Sequence, residues 1–183
     1  MSDNNYKTAL VTGATSGIGM ATAIKLSEAG IKVIESGRRL DILKVLQSKI
    51  SCEILELDIR DQDKIYSSLE NLEIDILVNN AGVGKGFSPI FKTAPKDINT
   101  TTETNVTSFL HVLRAIVPGM VKRKRGHIIN IGSIAGLYPM ASSVYGGSKG
   151  AVHVINQNLR LELSGTGVRA TEICPGRVET EFF

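Results

Sequence analysis

The sequence predicts an α/β fold built as a doubly wound parallel sheet. Three observations support this prediction: short apolar runs alternate with longer segments of helical period, the runs are almost continuously apolar, and the first run ends in a glycine-rich turn that opens a helix. Strands separated by helices form right-handed crossovers in a parallel sheet. Almost continuously apolar strands are typical of a sheet that is buried on both faces.

The alternation gives six strands and five helices. The predicted strands are Thr8–Thr12, Lys32–Ser36, Cys52–Leu57, Asp75–Asn79, His127–Ile131 and Val168–Ile173. The predicted helices cover about Gly17–Ala29, Leu40–Lys49, Asp61–Glu70, Lys96–Arg123 and Ser143–Leu163, with a loop over Lys85–Pro95. Because Pro118 and Gly119 interrupt the fourth helix, we expect it to kink or end there.

Composition limits the classes of protein that fit. The chain has 183 residues with 42% hydrophobic and 21% charged content, which is ordinary for one globular domain. A net charge of +3 argues against a nucleic-acid partner. The basic run at 122–125 reads as a solvated helix end, with an import signal or an anionic surface as the alternative. We expect no membrane partner, and a cytoplasmic location with Cys52 and Cys174 as reduced thiols.

The C-terminus is unusual because two phenylalanines, Phe182 and Phe183, follow the last predicted strand closely. An ordered domain that stopped there would leave apolar surface uncovered. We therefore interpret residues 1–183 as a single dinucleotide-binding and catalytic domain that is truncated or incompletely ordered at its C-terminus. A naturally short chain is the alternative.

The turn after the first strand has the features of a dinucleotide site. Gly13, Gly17 and Gly19 are spaced Gly-x-x-x-Gly-x-Gly, between a strand and a helix. Such a turn lets backbone N–H groups approach a pyrophosphate, and the helix N-terminus supplies partial positive charge. A glycine-rich turn alone is also compatible with a purely structural role.

The end of the second predicted strand favours NADP over NAD. A carboxylate there would bind a ribose 2′-hydroxyl and repel a 2′-phosphate, but Gly37 holds this place and Arg38 follows it. A guanidinium can pair with a phosphate through two hydrogen bonds. The alternative is that Arg38 and Arg39 are merely solvated loop charges.

A candidate proton-transfer group lies in the last predicted helix. Tyr145 and Lys149 are four residues apart, so they share one helix face, and Ser133 lies twelve positions before Tyr145. An ammonium beside a phenol lowers the phenol's pKa. We therefore expect Tyr145 to exchange a proton with an alcohol or carbonyl oxygen, and Ser133 to donate a hydrogen bond to that oxygen.

Together with Asn79-Asn80-Ala81-Gly82, Thr104-Asn105-Val106 and Pro175-Gly176, these motifs resemble those of the short-chain dehydrogenase/reductase family, in its compact single-domain branch. The resemblance covers Thr8 to Phe183. It implies a Rossmann-like sheet of order 3-2-1-4-5-6, apparently lacking the final strand. The segment between Ser133 and Tyr145 is one residue shorter than in the most similar branch, near Met140–Ser143, which weakens any analogy of substrate.

The resemblance also assigns roles to single residues. Asn105, Ser133, Tyr145 and Lys149 would be catalytic, with Asn105 helping to hold a water for proton relay and Lys149 also holding the nicotinamide ribose. Asp58 would contact the adenine, and Val178 and Thr180 the carboxamide. The full set expected to bind the cofactor is Gly13, Thr15, Ser16, Gly17, Ile18, Gly19, Arg38, Asp58, Asn80, Ala81, Gly82, Tyr145, Lys149, Pro175, Gly176, Val178 and Thr180.

The function expected from these residues is NADP-dependent hydride transfer to or from a small alcohol or carbonyl substrate. Two segments, at 114–120 and 126–133, are similar to the branch that oxidises 3-hydroxy acids and serine-like compounds. The family also implies a homodimer or homotetramer. A non-catalytic NADP-binding regulator and an oligomeric scaffold are the alternatives. The three histidines form no ligand-like cluster in the sequence, so we predict no metal.

Overall fold

The computed structural model describes residues 6–140 and 142–180. Within them, six parallel strands form one sheet of order β3-β2-β1-β4-β5-β6, which confirms the predicted architecture. The two terminal phenylalanines lie outside the described residues. The strands are β1 (Thr8–Thr12), β2 (Lys32–Gly37), β3 (Cys52–Glu56), β4 (Ile76–Asn79), β5 (Gly126–Ile131) and β6 (Val168–Ile173).

The helices lie within a residue or so of their predicted ends, apart from the fourth. They are α1 (Gly17–Glu28), α2 (Leu40–Lys49), α3 (Gln62–Leu69), α4 (Pro95–Thr102), α5 (Phe109–Arg123) and α6 (Ser143–Glu162). Asp61 precedes α3 as its N-cap, and its side chain accepts a hydrogen bond from the Lys64 N–H at 3.0 Å. In the described part of the chain, no helix combines the length and the apolar character needed to cross a membrane.

The long fourth helix differs from its prediction. It does not end at Pro118, which lies inside α5. The irregularity falls earlier, where a π-helical segment at Glu103–Ser108 joins α4 to α5. A proline costs a helix one backbone hydrogen bond. Here the buried face of α5 holds the helix together through Phe109, Val112, Leu113, Ala115, Ile116 and Met120.

The sheet is covered on both faces. On one face, residues of α3, α5 and α6 pack with Leu10, Leu77 and Ile128 in the larger apolar core. On the other face, Ala23 of α1 packs with Val11 and Val78 in the smaller core. Alternate residues of one strand therefore enter different cores, which explains the continuous apolar runs.

An acidic residue is fully buried within the apolar strand β2. Glu35, in the middle of β2, is 0% exposed, and neither carboxylate oxygen has a hydrogen-bond partner among the described residues. Burial raises the pKa of Glu35 from 4.5 to about 7, and the nearby Cys52 thiol offsets this only in part. The carboxyl group therefore stays protonated in the folded protein at pH values where it is ionised in the unfolded chain.

This difference predicts a pH-dependent stability. Between about pH 4.5 and 7 the folded chain holds a proton that the unfolded chain has lost, so the free energy of unfolding falls as pH rises, by up to roughly 3 kcal/mol. Glu35→Gln removes this contribution. Urea unfolding at about pH 5 and about pH 8 should therefore show a larger loss in the native protein than in the variant. The exposed-site variant Glu53→Gln is the control, and equal losses in the native protein and Glu35→Gln would contradict the assignment.

Candidate active site

A cavity of about 970 Å³ opens at the edge of the sheet where the strands end. This is the upper end of the range for small-molecule and cofactor sites, roughly 300–1,000 Å³. Most of the predicted site residues line it: Gly13, Thr15, Ser16, Gly17, Ile18, Arg38, Asp58, Asn80, Ala81, Gly82, Ser133, Tyr145, Lys149, Pro175, Gly176, Val178 and Thr180. Gly19 and Asn105 are not among the lining residues.

The glycine turn has the backbone geometry that an anion site needs. Gly13 and Gly17 adopt positive φ angles of 66° and 53°, which residues with a Cβ rarely adopt. Ser16 precedes α1 as its N-cap, but its side chain makes no capping hydrogen bond. The first N–H groups of α1 are therefore not satisfied by a side-chain cap at the cavity wall. The Thr180 side chain packs against Gly17 so closely that a Cβ atom at Gly17 would lie 3.0 Å from it.

The turn is fixed to the neighbouring strand by a small hydrogen-bond network. The buried Thr12 hydroxyl accepts hydrogen bonds from the N–H groups of Asn80 and Ala81, both at 3.0 Å. In return, the Asn80 amide donates to the carbonyl oxygens of Thr12 and Gly13 at 2.9 and 3.2 Å. The Asn-Asn-Ala-Gly motif thus holds the ends of β1 and β4 in register.

One end of the cavity is rich in arginine. Arg38, Arg39 and Arg60 all line it, next to Asp58. Arg60 forms two side-chain hydrogen bonds to the Asp58 carboxylate at 2.6 and 3.1 Å, which lower the pKa of Asp58. Arg39 donates to the Thr15 carbonyl oxygen at 3.0 Å. The Arg38 side chain is exposed, and its positive charge adds a small contribution to lowering the pKa of Asp58.

The other end of the cavity holds the candidate proton-transfer group. Ser133 and Tyr145 are both buried, and the Ser133 hydroxyl lies near enough to the Tyr145 phenol to lower the phenol's pKa, against the larger effect of burial, which raises it. The ring of Phe87 packs on Tyr145 with 5.1 Å between the ring centroids. Phe87, Arg39 and Arg60 line the cavity without having been predicted. Arg39 could have been inferred from its place beside Arg38, whereas no sequence pattern pointed to the other two.

Lys149 is held differently from the prediction. It is 6% exposed, and its Nζ donates a hydrogen bond to the Ile131 carbonyl oxygen at 2.8 Å. Burial lowers the pKa of Lys149 to about 8, although the Glu172 and Cys174 charges oppose this effect. Sequence analysis predicts that the ammonium lowers the pKa of the Tyr145 phenol. The sign is wrong for this structure: burial raises that pKa, and the contact that lowers it comes from Ser133.

Asn105 supports the site from behind the cavity wall. It lies in the π-helical segment, and its amide bonds both backbone groups of Val83, accepting at 2.8 Å and donating at 3.0 Å. It also donates to the Ser148 hydroxyl at 3.0 Å, which in turn donates to the Tyr145 carbonyl oxygen at 2.7 Å. The irregular helix thus ties the loop after β4 to α6.

A second cluster lies outside the cavity. His153 on α6 contacts Glu172 of β6 through a 2.7 Å hydrogen bond, and Cys174 lies next to both. The prediction of no metal rested on finding no such cluster in the sequence. The fold brings these three residues together although they are far apart along the chain.

The fold and this arrangement of residues define a nicotinamide-dependent oxidoreductase of the short-chain type. A family model described as short chain dehydrogenase matches residues 7–183, so the chain belongs to the short-chain dehydrogenase family. This confirms the resemblance seen in the sequence.

Individual relatives are similar over most of their length. The chain is 44% identical to an NADP-dependent 3-hydroxy acid dehydrogenase YdfG of Salmonella typhi and to its counterpart in Escherichia coli strain K12. In each case the alignment covers 94% of this chain and 73% of the relative. It is also 44% identical to a probable NADP-dependent dehydrogenase of Haemophilus influenzae, over 92% of this chain and 70% of that protein.

Solved structures of short-chain dehydrogenases share the fold of this chain. The closed form of a serine dehydrogenase complexed with NADP+ superimposes with a TM-score of 0.91 at 43% identity, covering 96% of this chain and 74% of that chain. A short-chain dehydrogenase from Burkholderia phymatum in complex with NAD gives a TM-score of 0.90 at 28% identity, covering all of this chain (100%) and 69% of that chain. The shared fold therefore accommodates either dinucleotide.

Proposed function

We propose that the chain is an oxidoreductase that transfers hydride between NADP(H) and a small alcohol or carbonyl compound, with Tyr145 as general acid and base. The observation that carries this proposal is that Ser133, Tyr145 and Lys149 line the same cavity as the glycine turn. A non-catalytic regulator or a scaffold would explain the cofactor cavity. Neither would explain why a lysine and a tyrosine hydroxyl are kept buried within it.

The residues present fit NADP(H). The glycine turn and the start of α1 would hold the pyrophosphate, because N–H groups there have no side-chain cap. At the arginine-rich end, Arg38 is the cation best placed for a 2′-phosphate, since Arg60 is already paired with Asp58. Gly37 at the end of β2 leaves no carboxylate to repel that phosphate. NADP dependence in the named relatives supports the same choice.

The chain's own residues would move the proton. NADP(H), when bound, supplies or accepts the hydride. Tyr145 Oη gives its proton to the carbonyl oxygen during reduction and takes it back from the alcohol during oxidation. Ser133 Oγ donates a hydrogen bond to the same oxygen as negative charge develops there. Asn105 and Lys149 would complete the group, with Asn105 helping to hold a water that links Lys149 to solvent for proton relay and Lys149 also holding the nicotinamide ribose.

Burial of Tyr145 bears on the direction of the reaction. Because burial raises the pKa of its phenol, the protonated form predominates at neutral pH in this structure. A protonated phenol is the form that acts as a general acid. The reduction of a carbonyl should therefore need no increase in pH, whereas oxidation of an alcohol should become faster in alkaline solution.

The relatives' names support 3-hydroxy acids, including serine-like compounds, as the substrate class. Such substrates carry a carboxylate. Lys85 and Arg177 are exposed cations that line the cavity together with Phe87 and Tyr145. Their positive charges could attract such a substrate electrostatically.

The activity can be tested directly with purified protein. NADPH absorbance is followed with a panel of small aldehydes, ketones and 3-oxo acids, and NADP⁺ reduction with serine and other 3-hydroxy acids. The proposal expects saturable turnover with at least one class. Binding of NADPH without turnover on any substrate would favour the regulator instead.

Replacing Arg38 tests the choice of cofactor. Arg38→Asp should lower the affinity for NADPH by roughly 10- to 100-fold, since it replaces a charge-assisted phosphate contact with a repulsive carboxylate. The affinity for NADH should change little or improve. Fluorescence titration with both cofactors measures this ratio, and Arg160→Asp on α6 is the control. An unchanged ratio would mean that Arg38 is only a solvated loop charge.

We also propose a homodimer or homotetramer in the cytoplasm. Leu110 of α5 and Val154 and Leu161 of α6 are large apolar side chains that are 43%, 56% and 76% exposed, and pairing of these helices between copies would cover them. Light scattering during gel filtration would measure the number of copies.

Cys52 and Cys174 form no disulfide, which fits a reducing compartment.

A further inference from the structure

A cluster of metal-ligating side chains lies behind the proton-transfer group, and none of its members lines the cavity. An imidazole nitrogen of His153, a carboxylate oxygen of Glu172 and the sulfur of Cys174 all lie within 4.8 Å of one another. We propose that these three residues bind a divalent transition metal, and that Zn²⁺ is the ion that suits their donors best. This proposal does not depend on the proposed function.

The fold explains why these residues meet. His153 follows Lys149 by four residues on α6, so both lie on one face of the helix. Along β6, Val168 and Ala170 are buried on one face of the sheet, and Glu172 and Cys174 continue the same alternation. Because α6 packs against β6, the imidazole comes to lie beside the carboxylate and the thiol.

The donor set is typical of zinc. Zn²⁺ binds histidine nitrogen, cysteine sulfur and carboxylate oxygen, most often with four ligands in a tetrahedron. Three protein ligands from two elements leave the fourth position for water. The mixture of nitrogen and sulfur argues against Ca²⁺ and Mg²⁺, which prefer oxygen ligands throughout.

The carboxylate has an unused oxygen. The Glu172 side chain is 8% exposed, and one oxygen, Oε2, lies 2.7 Å from His153 Nδ1. The other, Oε1, is buried without a hydrogen-bond partner among the described residues. A buried acceptor left unpaired is costly, and a bound cation would satisfy it. The neighbouring Cys174 thiol is only a weak donor, and burial together with the Glu172 carboxylate raises the thiol's pKa.

His153 also contacts a side chain outside the cluster. His153 Nε2 lies 2.6 Å from the Gln157 side-chain amide, one helical turn further along α6. If Nδ1 binds the metal, Nε2 carries the proton and can donate it to the amide oxygen of Gln157 after the amide rotates. Metal-binding histidines commonly have their second nitrogen fixed in this way.

Cobalt substitution tests the site, because Co²⁺ reports its ligands spectroscopically. Reduced, metal-free protein is titrated with Co²⁺ and then with Zn²⁺. We expect one Co²⁺ per chain, a thiolate-to-cobalt charge-transfer band in the near ultraviolet, the visible absorption of a tetrahedral site, and loss of both when Zn²⁺ is added. Zn²⁺ should also raise the melting temperature.

Variants identify the ligands. Cys174→Ser should abolish the charge-transfer band, and His153→Ala or Glu172→Gln should weaken Co²⁺ binding at least about tenfold. Cys52→Ser is the matched control and should change neither the charge-transfer band nor the affinity for Co²⁺. Circular dichroism checks that each variant is folded. If His153→Ala does not fold, the isosteric variant Glu172→Gln provides the test of the ligands. Absence of the band in the native protein, or its survival in Cys174→Ser, would overturn the proposal and leave a structural hydrogen bond between His153 and Glu172.

Discussion

Replacing Tyr145 with phenylalanine should lower kcat by roughly 10²- to 10⁴-fold, the range that a positioned general acid or base contributes. The phenol is the group in the cavity that can give a proton to the substrate oxygen, and phenylalanine removes it alone. The ring remains in place against Phe87, so the cavity keeps its shape. The affinity for NADPH should therefore stay nearly unchanged. Steady-state kinetics and a fluorescence titration measure the two quantities separately.

The same substitution should leave the protein folded, because it removes a single hydroxyl group and its polar contact with Ser133, at a cost of about 1 kcal/mol. Tyr138→Phe is the matched control, since Tyr138 is 63% exposed and does not line the cavity. It should retain native turnover. Retention of most of the turnover by Tyr145→Phe, with any substrate, would contradict the assigned role.

Replacing Lys149 with methionine should separate activity from stability. Turnover should fall by roughly 10²- to 10³-fold, because a positioned cation in the site is lost. Stability near neutral pH should rise, since burial that lowers the Lys149 pKa from 10.5 to about 8 opposes its charged form by roughly 3 kcal/mol. Loss of the hydrogen bond to the Ile131 carbonyl oxygen offsets about 1 kcal/mol or more of this gain. Assays of turnover and urea unfolding at about pH 7 measure both effects.

The pH dependence gives a further check on Lys149. Between about pH 8 and 10.5 the folded chain loses the Lys149 proton before the unfolded chain does, so Lys149 should contribute a gain in stability as pH rises. This gain opposes the loss of stability that the raised pKa of the Cys52 thiol, about 11, contributes in the same range. Lys149→Met should lack this gain, whereas the exposed-site control Lys44→Met should keep it. A variant that is inactive and clearly less stable at neutral pH would show that the ammonium is held for structural reasons.

Much of the fold could be predicted because each strand is a short apolar run between turn signals. The strand ends carry the site, so the glycine turn, Arg38 and Asn80 fell at the cavity once the strand order was known. The fourth helix could not be predicted in the same way. The missing N–H of Pro118 predicts a helix end or kink there, but packing of α5 against the core keeps Pro118 inside the helix. No sequence signal marks the π-helical segment around Asn105.

The charges in the site were the least predictable part. The spacing of Tyr145 and Lys149 placed both on one helix face, but it could not show that Lys149 Nζ bonds the Ile131 carbonyl oxygen or that burial dominates the phenol's pKa. Desolvation depends on everything packed around a group. By contrast, the cluster of His153, Glu172 and Cys174 could have been found by combining the helix period with the alternation along β6.

The most direct test of the account is the pH dependence of kcat/KM measured in both directions. If the Tyr145 phenol is the acid and base, carbonyl reduction should slow and alcohol oxidation should accelerate through one shared ionisation on the alkaline side of neutrality, and both trends should disappear in Tyr145→Phe. Profiles that are flat, or that persist unchanged without the hydroxyl, would contradict the claim that this side chain exchanges the proton.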